Sequence, residues 1–189
     1  KKPDVQSKEM EIKVIINKQK YTFITDSGVF SKHGLDFGTR TLLEALELEK
    51  IKGKILDFGC GYGPIGIYIS KNTGECVDMI DINERGLNLT KKNASINEVN
   101  VNVFYSDKFE NVNTKYDFII TNPPIRVGRK VLYEILFGAK SYLKEGGELW
   151  LVIHKNHGAK TVIRDLEKEY KVKIVCRNKG FYVICAQNH

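Results

Sequence analysis

The 189-residue chain reads as an α/β protein built on a mostly parallel, doubly wound sheet, and that reading rests on three observations. Short apolar runs rich in β-branched residues recur between stretches of helical periodicity, the alternation that buries a parallel sheet between layers of helices. One run leads into a glycine-rich turn, Asp57-Phe58-Gly59-Cys60-Gly61-Tyr62-Gly63, with Pro64 placed to open a helix. The last two runs, 172–176 and 181–186, are joined only through Asn178-Lys179-Gly180, so they must be antiparallel to each other.

Taken in order, residues 11–26 alternate through Ile12, Val14, Ile16, Tyr21 and Phe23, which gives two strands joined near residues 17–20. A loop holding Gly28-Val29-Phe30-Ser31 follows. Helical spacing through Leu42, Leu43, Leu46 and Leu48 covers 39–50. The repeating part begins with a strand at 54–58 and a helix at 64–71, then a strand at 76–80 and a helix at 84–96. Strands at 101–105 and 116–121 precede a helix at 130–143. A strand at 148–153 and a helix at 159–170 lead to the terminal pair. Residues 1–33 are assigned to an N-terminal β-hairpin extension and 34–189 to the main domain.

Charged residues make up 28% of the chain and hydrophobic residues 42%, an ordinary globular composition. The stretch 1–20 holds no apolar core of signal-peptide length, and no run is long enough to span a membrane, so a cytoplasmic protein is expected. Cys60, Cys76, Cys176 and Cys185 are scattered singly and the four histidines are unclustered, so free thiols and no metal are expected. A net charge of +7 favours a polyanionic partner, although lysines alternating with glutamates on helices account for much of it as solvated surface.

In a doubly wound sheet, ligands bind beyond the carboxyl ends of the strands. Those positions here carry the glycine-rich turn, then Asp81-Ile82-Asn83, Ser106-Asp107 and Asn122-Pro123-Pro124. Glycines let backbone approach a ligand closely, and the helix opened by Pro64 offers free N–H groups to an anion. Asp81 is placed to accept from ribose hydroxyls, and Asp107 or its backbone to meet a purine amine. Together they describe a nucleoside with an anionic end. Gly61-x-Gly63-x-x-Gly66 also satisfies the dinucleotide fingerprint, so a nicotinamide-dependent oxidoreductase is the alternative from another reaction class. Asp57 would crowd a pyrophosphate but suits a cationic sulfonium carrying an ammonium group. Asn122-Pro123-Pro124 forms a stiff strand end with a side-chain carbonyl and a backbone carbonyl, two acceptors suited to a planar NH2 group.

These motifs resemble class I S-adenosylmethionine-dependent methyltransferases that modify amino groups. Gly28-Val29-Phe30-Ser31, Asp36-x-Gly38, the glycine-rich turn, Thr121-Asn122-Pro123-Pro124-Ile125 and Gly146-Gly147-Glu148-Leu149-Trp150 are similar to the small-subunit ribosomal RNA guanine-N2 methyltransferases, over roughly residues 22–187. The resemblance implies a Rossmann-like, seven-stranded sheet with an antiparallel last strand, S-adenosylmethionine as cofactor, and ribosomal RNA or the small ribosomal subunit as partner. It implies cofactor contacts at Asp57, Gly59, Cys60, Gly61, Gly63, Asp81, Ile82, Asp107 and Asn122. Catalytic work falls to Asn122 and Pro123, and substrate contact to Phe30, Pro124, Ile125 and Arg126, with Arg129, Lys130 and Lys155 as phosphate candidates. Amino methyltransferases commonly carry an aromatic residue after the prolines. Ile125 stands there and can cover a base face without aromatic stacking. Adenine-N6 and protein glutamine-N5 methylation use the same two-acceptor logic and remain alternatives.

Overall fold

Strands β1 (Glu9–Ile16) and β2 (Gln19–Asp26) form an antiparallel hairpin in register from Glu9↔Asp26 to Ile16↔Gln19. The linking residues Asn17 (φ 48°) and Lys18 (φ 68°) are both left-handed, the two-residue turn whose twist matches paired strands. Period-two alternation sends Val14, Ile16, Tyr21 and Phe23 to one buried face. There they join Leu42, Tyr62 and Tyr68 in one hydrophobic cluster. The computed structural model describes residues 8–26 and 34–189.

Helix α1 (Phe37–Ala45) leads to β3 (Ile55–Phe58), α2 (Pro64–Thr73), β4 (Asp78–Asp81), α3 (Glu84–Ile96) and β5 (Asn102–Tyr105). Then come β6 (Tyr116–Thr121), α4 (Arg129–Gly138), β7 (Leu143–His154), α5 (Ala159–Leu166), β8 (Lys171–Asn178) and β9 (Phe181–Gln187). The seven-stranded sheet runs β5-β4-β3-β6-β7-β9-β8, parallel throughout except for β9, which is antiparallel to both neighbours. This is the Rossmann-like methyltransferase arrangement expected from the sequence. Adjacent residues on single strands feed opposite faces: Ile55, Ile120 and Trp150 pack toward the hairpin side, and Leu56, Ile119 and Leu151 toward α4 and α5.

The outer edge of β2 is closed by side chains rather than by another strand. Asn97 accepts the Thr22 amide at 3.1 Å and donates to the Thr22 carbonyl at 2.8 Å. One helical turn earlier, Asn93 accepts from Ile24 N at 2.7 Å and donates to Ile24 O at 2.9 Å. Spaced four apart, both amides lie on one face of α3 and supply the donor–acceptor pairs of an absent ladder.

Several boundaries differ from expectation, each for a local reason. Asp36 caps α1, so the helix begins at Phe37 rather than 39, and extended Leu46 ends it before a separate 3-10 turn at Leu48–Lys50. Helix α4 gives way after Gly138 to a 3-10 turn over Ala139–Tyr142. Strand β7 starts at Leu143 rather than 148, because Leu143 pairs with Tyr116 and the Gly146 amide donates to Asn188 O at 2.8 Å. Helix α5 stops at Leu166, short of 170.

Candidate functional site

Strand β3 lies where the chain reverses its direction of travel across the sheet, with β4 on one side and β6 on the other. A crevice opens at such a switch point. Thr121 Oγ1 donates to Phe58 O at 2.9 Å, tying the carboxyl ends of β6 and β3 together. Asn122 is thereby held beside the glycine-rich loop.

The loop is fastened from every side. Gly59 and Cys60 both donate to Ile80 O at 2.9 Å, and Gly61 N donates to Asp81 Oδ2 at 2.8 Å. Asp81 Oδ1 accepts from Asn83 N at 2.8 Å, so one carboxylate joins the loop to the start of α3. Thr90 donates to Gly61 O at 2.9 Å and Asn93 to Tyr62 O at 2.7 Å. A Cβ on Gly86 would stand 2.7 Å from Gly61 O, so only glycine lets α3 approach this closely.

Asp57 is fully buried beneath the loop, and its Oδ2 accepts from Gly66 N at 2.9 Å. Its Oδ1 is buried without a partner among the described residues. Burial pushes the carboxyl up to about 7, opposed by the Gly66 bond and reinforced by the charge of Asp81. Cys60, also buried, has its thiol pushed well up by desolvation and then by Asp57.

At Asn122 the amide nitrogen donates to Asp36 Oδ2 at 3.1 Å and to Thr39 Oγ1 at 3.0 Å. Its carbonyl oxygen has no hydrogen-bond partner among the described residues. Burial and, next, the negative charge of Asp36 raise the Tyr62 hydroxyl, so the same carboxylate acts on the glycine loop and on Asn122.

The positions expected from the sequence fall into two groups. Gly59, Gly61, Asp81, Ile82, Asp107 and Asn122 lie at the carboxyl ends of four adjacent strands, with Ile82 58% exposed. Asp57, Cys60, Gly63 and Pro123 are buried and prop the loop and the strand end. Pro124 and Arg126 are exposed, whereas Ile125 is half-buried against the hydrophobic cluster on the α4 side. Phe30 lies outside the described residues. Sequence reasoning missed Asp36 and Thr39 as neighbours of Asn122, and Thr90 and Asn93 as props of the loop. Asp36 preceding a helical pattern was a readable cap signal, but its bond to Asn122 spans 86 positions.

The methyltransferase small domain model matches residues 20–185. The chain belongs to that family. The uncharacterized protein YbxB of Bacillus subtilis (strain 168) is 42% identical, over 98% of this chain and 95% of its own length. Ribosomal RNA small subunit methyltransferase C of Haemophilus influenzae is 39% identical over 77% of this chain, which spans only 45% of that protein. The structure of the Thermus thermophilus 16S rRNA N2 G1207 methyltransferase, in complex with AdoMet and guanosine, superposes with a TM-score of 0.86 at 25% identity, covering 99% of this chain and 52% of that one. The chain thus spans about half the length of these two methyltransferases. Family membership sets aside the nicotinamide reading of the glycine fingerprint. Among the described residues, no group of His, Cys, Asp and Glu could hold a metal and no helix could cross a membrane.

Proposed function

We propose that this chain is an S-adenosylmethionine-dependent methyltransferase acting on an exocyclic amine, guanine N2 of small-subunit ribosomal RNA. The single observation that carries the reading is Asn122 at the end of β6: its amide nitrogen is tied down and its carbonyl oxygen has no partner among the described residues, beside the Pro123 backbone and the glycine loop. The family match and the named relatives support the RNA class.

The site fits the donor. Side chains at Gly59 and Gly61 would project into open space, so the loop backbone faces an open cradle, and buried Asp57 supplies negative charge beneath it once it ionises, near pH 7. When bound, S-adenosylmethionine supplies an electrophilic methyl group on a sulfonium. Asp81 would accept from the ribose hydroxyls, Ile82 would cover the adenine face, and Asp107 or its backbone would meet the adenine amine. Asp57, Cys60 and Gly63 serve from below as props.

The substrate amine is a weak nucleophile because its lone pair is delocalised into the ring. Asn122 Oδ1 and the Pro123 carbonyl accept its two N–H bonds, aim the nitrogen at the methyl and stabilise the positive charge that develops there. After transfer the nitrogen is acidic, and its proton leaves to water without a strong base. Pro124, Ile125 and Arg126 border the base, which must be flipped out or single-stranded to enter.

Labelled methyl transfer to small ribosomal subunits, naked RNA, DNA and release factor, with nucleoside analysis of the labelled RNA, separates guanine N2 from adenine N6 and glutamine N5. Asn122→Ala is expected to lower turnover by about 100-fold or more, a loss typical of a missing oriented transition-state partner, with S-adenosylhomocysteine affinity little changed. Near-normal turnover in that variant, or label on DNA or protein rather than RNA, would overturn the reading.

A further inference from the structure

Two side chains at the start of α1 meet Asn122 from the far end of the chain. Asp36 Oδ2 accepts the Thr39 amide at 3.0 Å, capping the helix, and the same oxygen accepts from Asn122 Nδ2 at 3.1 Å. Thr39 Oγ1 accepts from the same nitrogen at 3.0 Å. Thr39 is buried, and neighbouring Gly38 lies so close under Phe181 that an added Cβ would sit 2.9 Å from its ring. The cap is therefore wedged in place.

The two ends of an amide side chain have nearly the same shape, and half a turn of χ2 exchanges them. Packing alone therefore distinguishes them poorly. A carboxylate only accepts, so a reversed Asn122 would set oxygen against oxygen at Asp36. A hydroxyl both donates and accepts, so Thr39 alone would tolerate either orientation. With Asp36 setting the polarity, Thr39 takes the second amide proton. Both N–H bonds are then consumed, and only the carbonyl is left to present.

We infer that Asp36 and Thr39 are positioning residues that set the orientation of the Asn122 amide, so that an acceptor rather than a donor meets the incoming amine. The inference rests on the reading of Asn122 given above and adds a device that enforces it. It also gives Asp36 two tasks, because the bond that starts α1 and the bond that orients Asn122 share one oxygen.

Thr39→Val keeps the shape and the helix cap and removes the hydroxyl, Thr39→Ser restores the hydroxyl, and Asp36→Asn keeps a competent cap while losing the acceptor-only character. In Thr39→Val, kcat on the RNA substrate is expected to fall about tenfold, with KM for RNA and Kd for S-adenosylhomocysteine within about twofold, and Thr39→Ser recovers most of the loss. Asp36→Asn is expected to lose at least as much, at near-normal Tm. Independently of turnover, the side-chain amide resonances of Asn122 should move in Thr39→Val and Asp36→Asn and return in Thr39→Ser. Unmoved resonances, or kcat retained within about twofold in both disruptive variants, would overturn the inference. A wild-type protein that methylates none of the four substrates would sink the functional reading, while the resonances still decide the orientation.

Discussion

Asp57 shows how much a single buried carboxyl can cost. Folded, it holds its proton up to about pH 7, whereas an ordinary aspartate carboxyl loses it near 3.8. Between those values the native chain binds more protons than the unfolded chain, so its contribution to stability declines as pH rises and levels off above about 7. Asp57→Asn removes this titration while leaving an oxygen for the Gly66 amide. The stability gap in favour of the variant is expected to widen by about 2 kcal/mol between about pH 5 and about pH 8, as read by urea or thermal unfolding. The same variant should bind S-adenosylhomocysteine more weakly at the higher pH, because it takes negative charge from beneath the donor's ammonium. Stability that improves where binding deteriorates is the signature of a residue retained for function. The presence of Asp57 and Asn122 was legible in the sequence because each stands at a strand end flanked by glycine or proline. Their surroundings were not: full burial of Asp57 and the grip of Asp36 on Asn122 arise from chain segments far apart in sequence.

Among the elements, α3 does the most unexpected work. Asn93 and Asn97 are buried and complete the edge of β2, a role not assigned to them from the sequence. No periodicity announces such a role, since an asparagine facing solvent and one facing a strand edge occupy the same helical pattern. Asn93→Ala leaves the Ile24 amide, the Ile24 carbonyl and the Tyr62 carbonyl without their partner. A loss of about 2–3 kcal/mol is expected in chemical denaturation, with Thr22 and Ile24 amides exchanging faster than the central strands. The β/α alternation itself was legible because β3, β4 and β6 are apolar runs with clear punctuation. The start of β7 was not, because Leu143-Lys144-Glu145-Gly146-Gly147 has loop composition and is held as strand by pairing with distant backbone and by the Gln187 and Asn188 side chains.

Across the whole molecule, charge is divided along the carboxyl edge of the sheet. Toward β4 and β5, where the donor is assigned, Asp81, Glu84, Asp107 and Glu110 outnumber Arg85 and Lys108, which are paired with Asp26 and Glu134. Because β8 runs parallel to β7, the β8–β9 turn reaches the same edge, and Arg126, Arg129, Lys130, Lys155, Arg177 and Lys179 gather on that side. Arg177 lies 5.5 Å from the buried Tyr182 ring and Lys179 5.0 Å from that of half-buried Phe37, so aromatic faces steady two of these cations. RNA affinity is expected to fall steeply with salt, and Lys179→Glu should reduce both affinity and salt slope while sparing S-adenosylhomocysteine binding, in titrations from about 50 to 200 mM salt. The Asn93 side chain has a wider consequence. One amide is pinned to β2 and to the backbone of Tyr62. Occupancy of the cradle is therefore expected to slow hydrogen exchange at the Ile24 amide, at the other end of that bridge, and exchange measured with and without S-adenosylhomocysteine checks it.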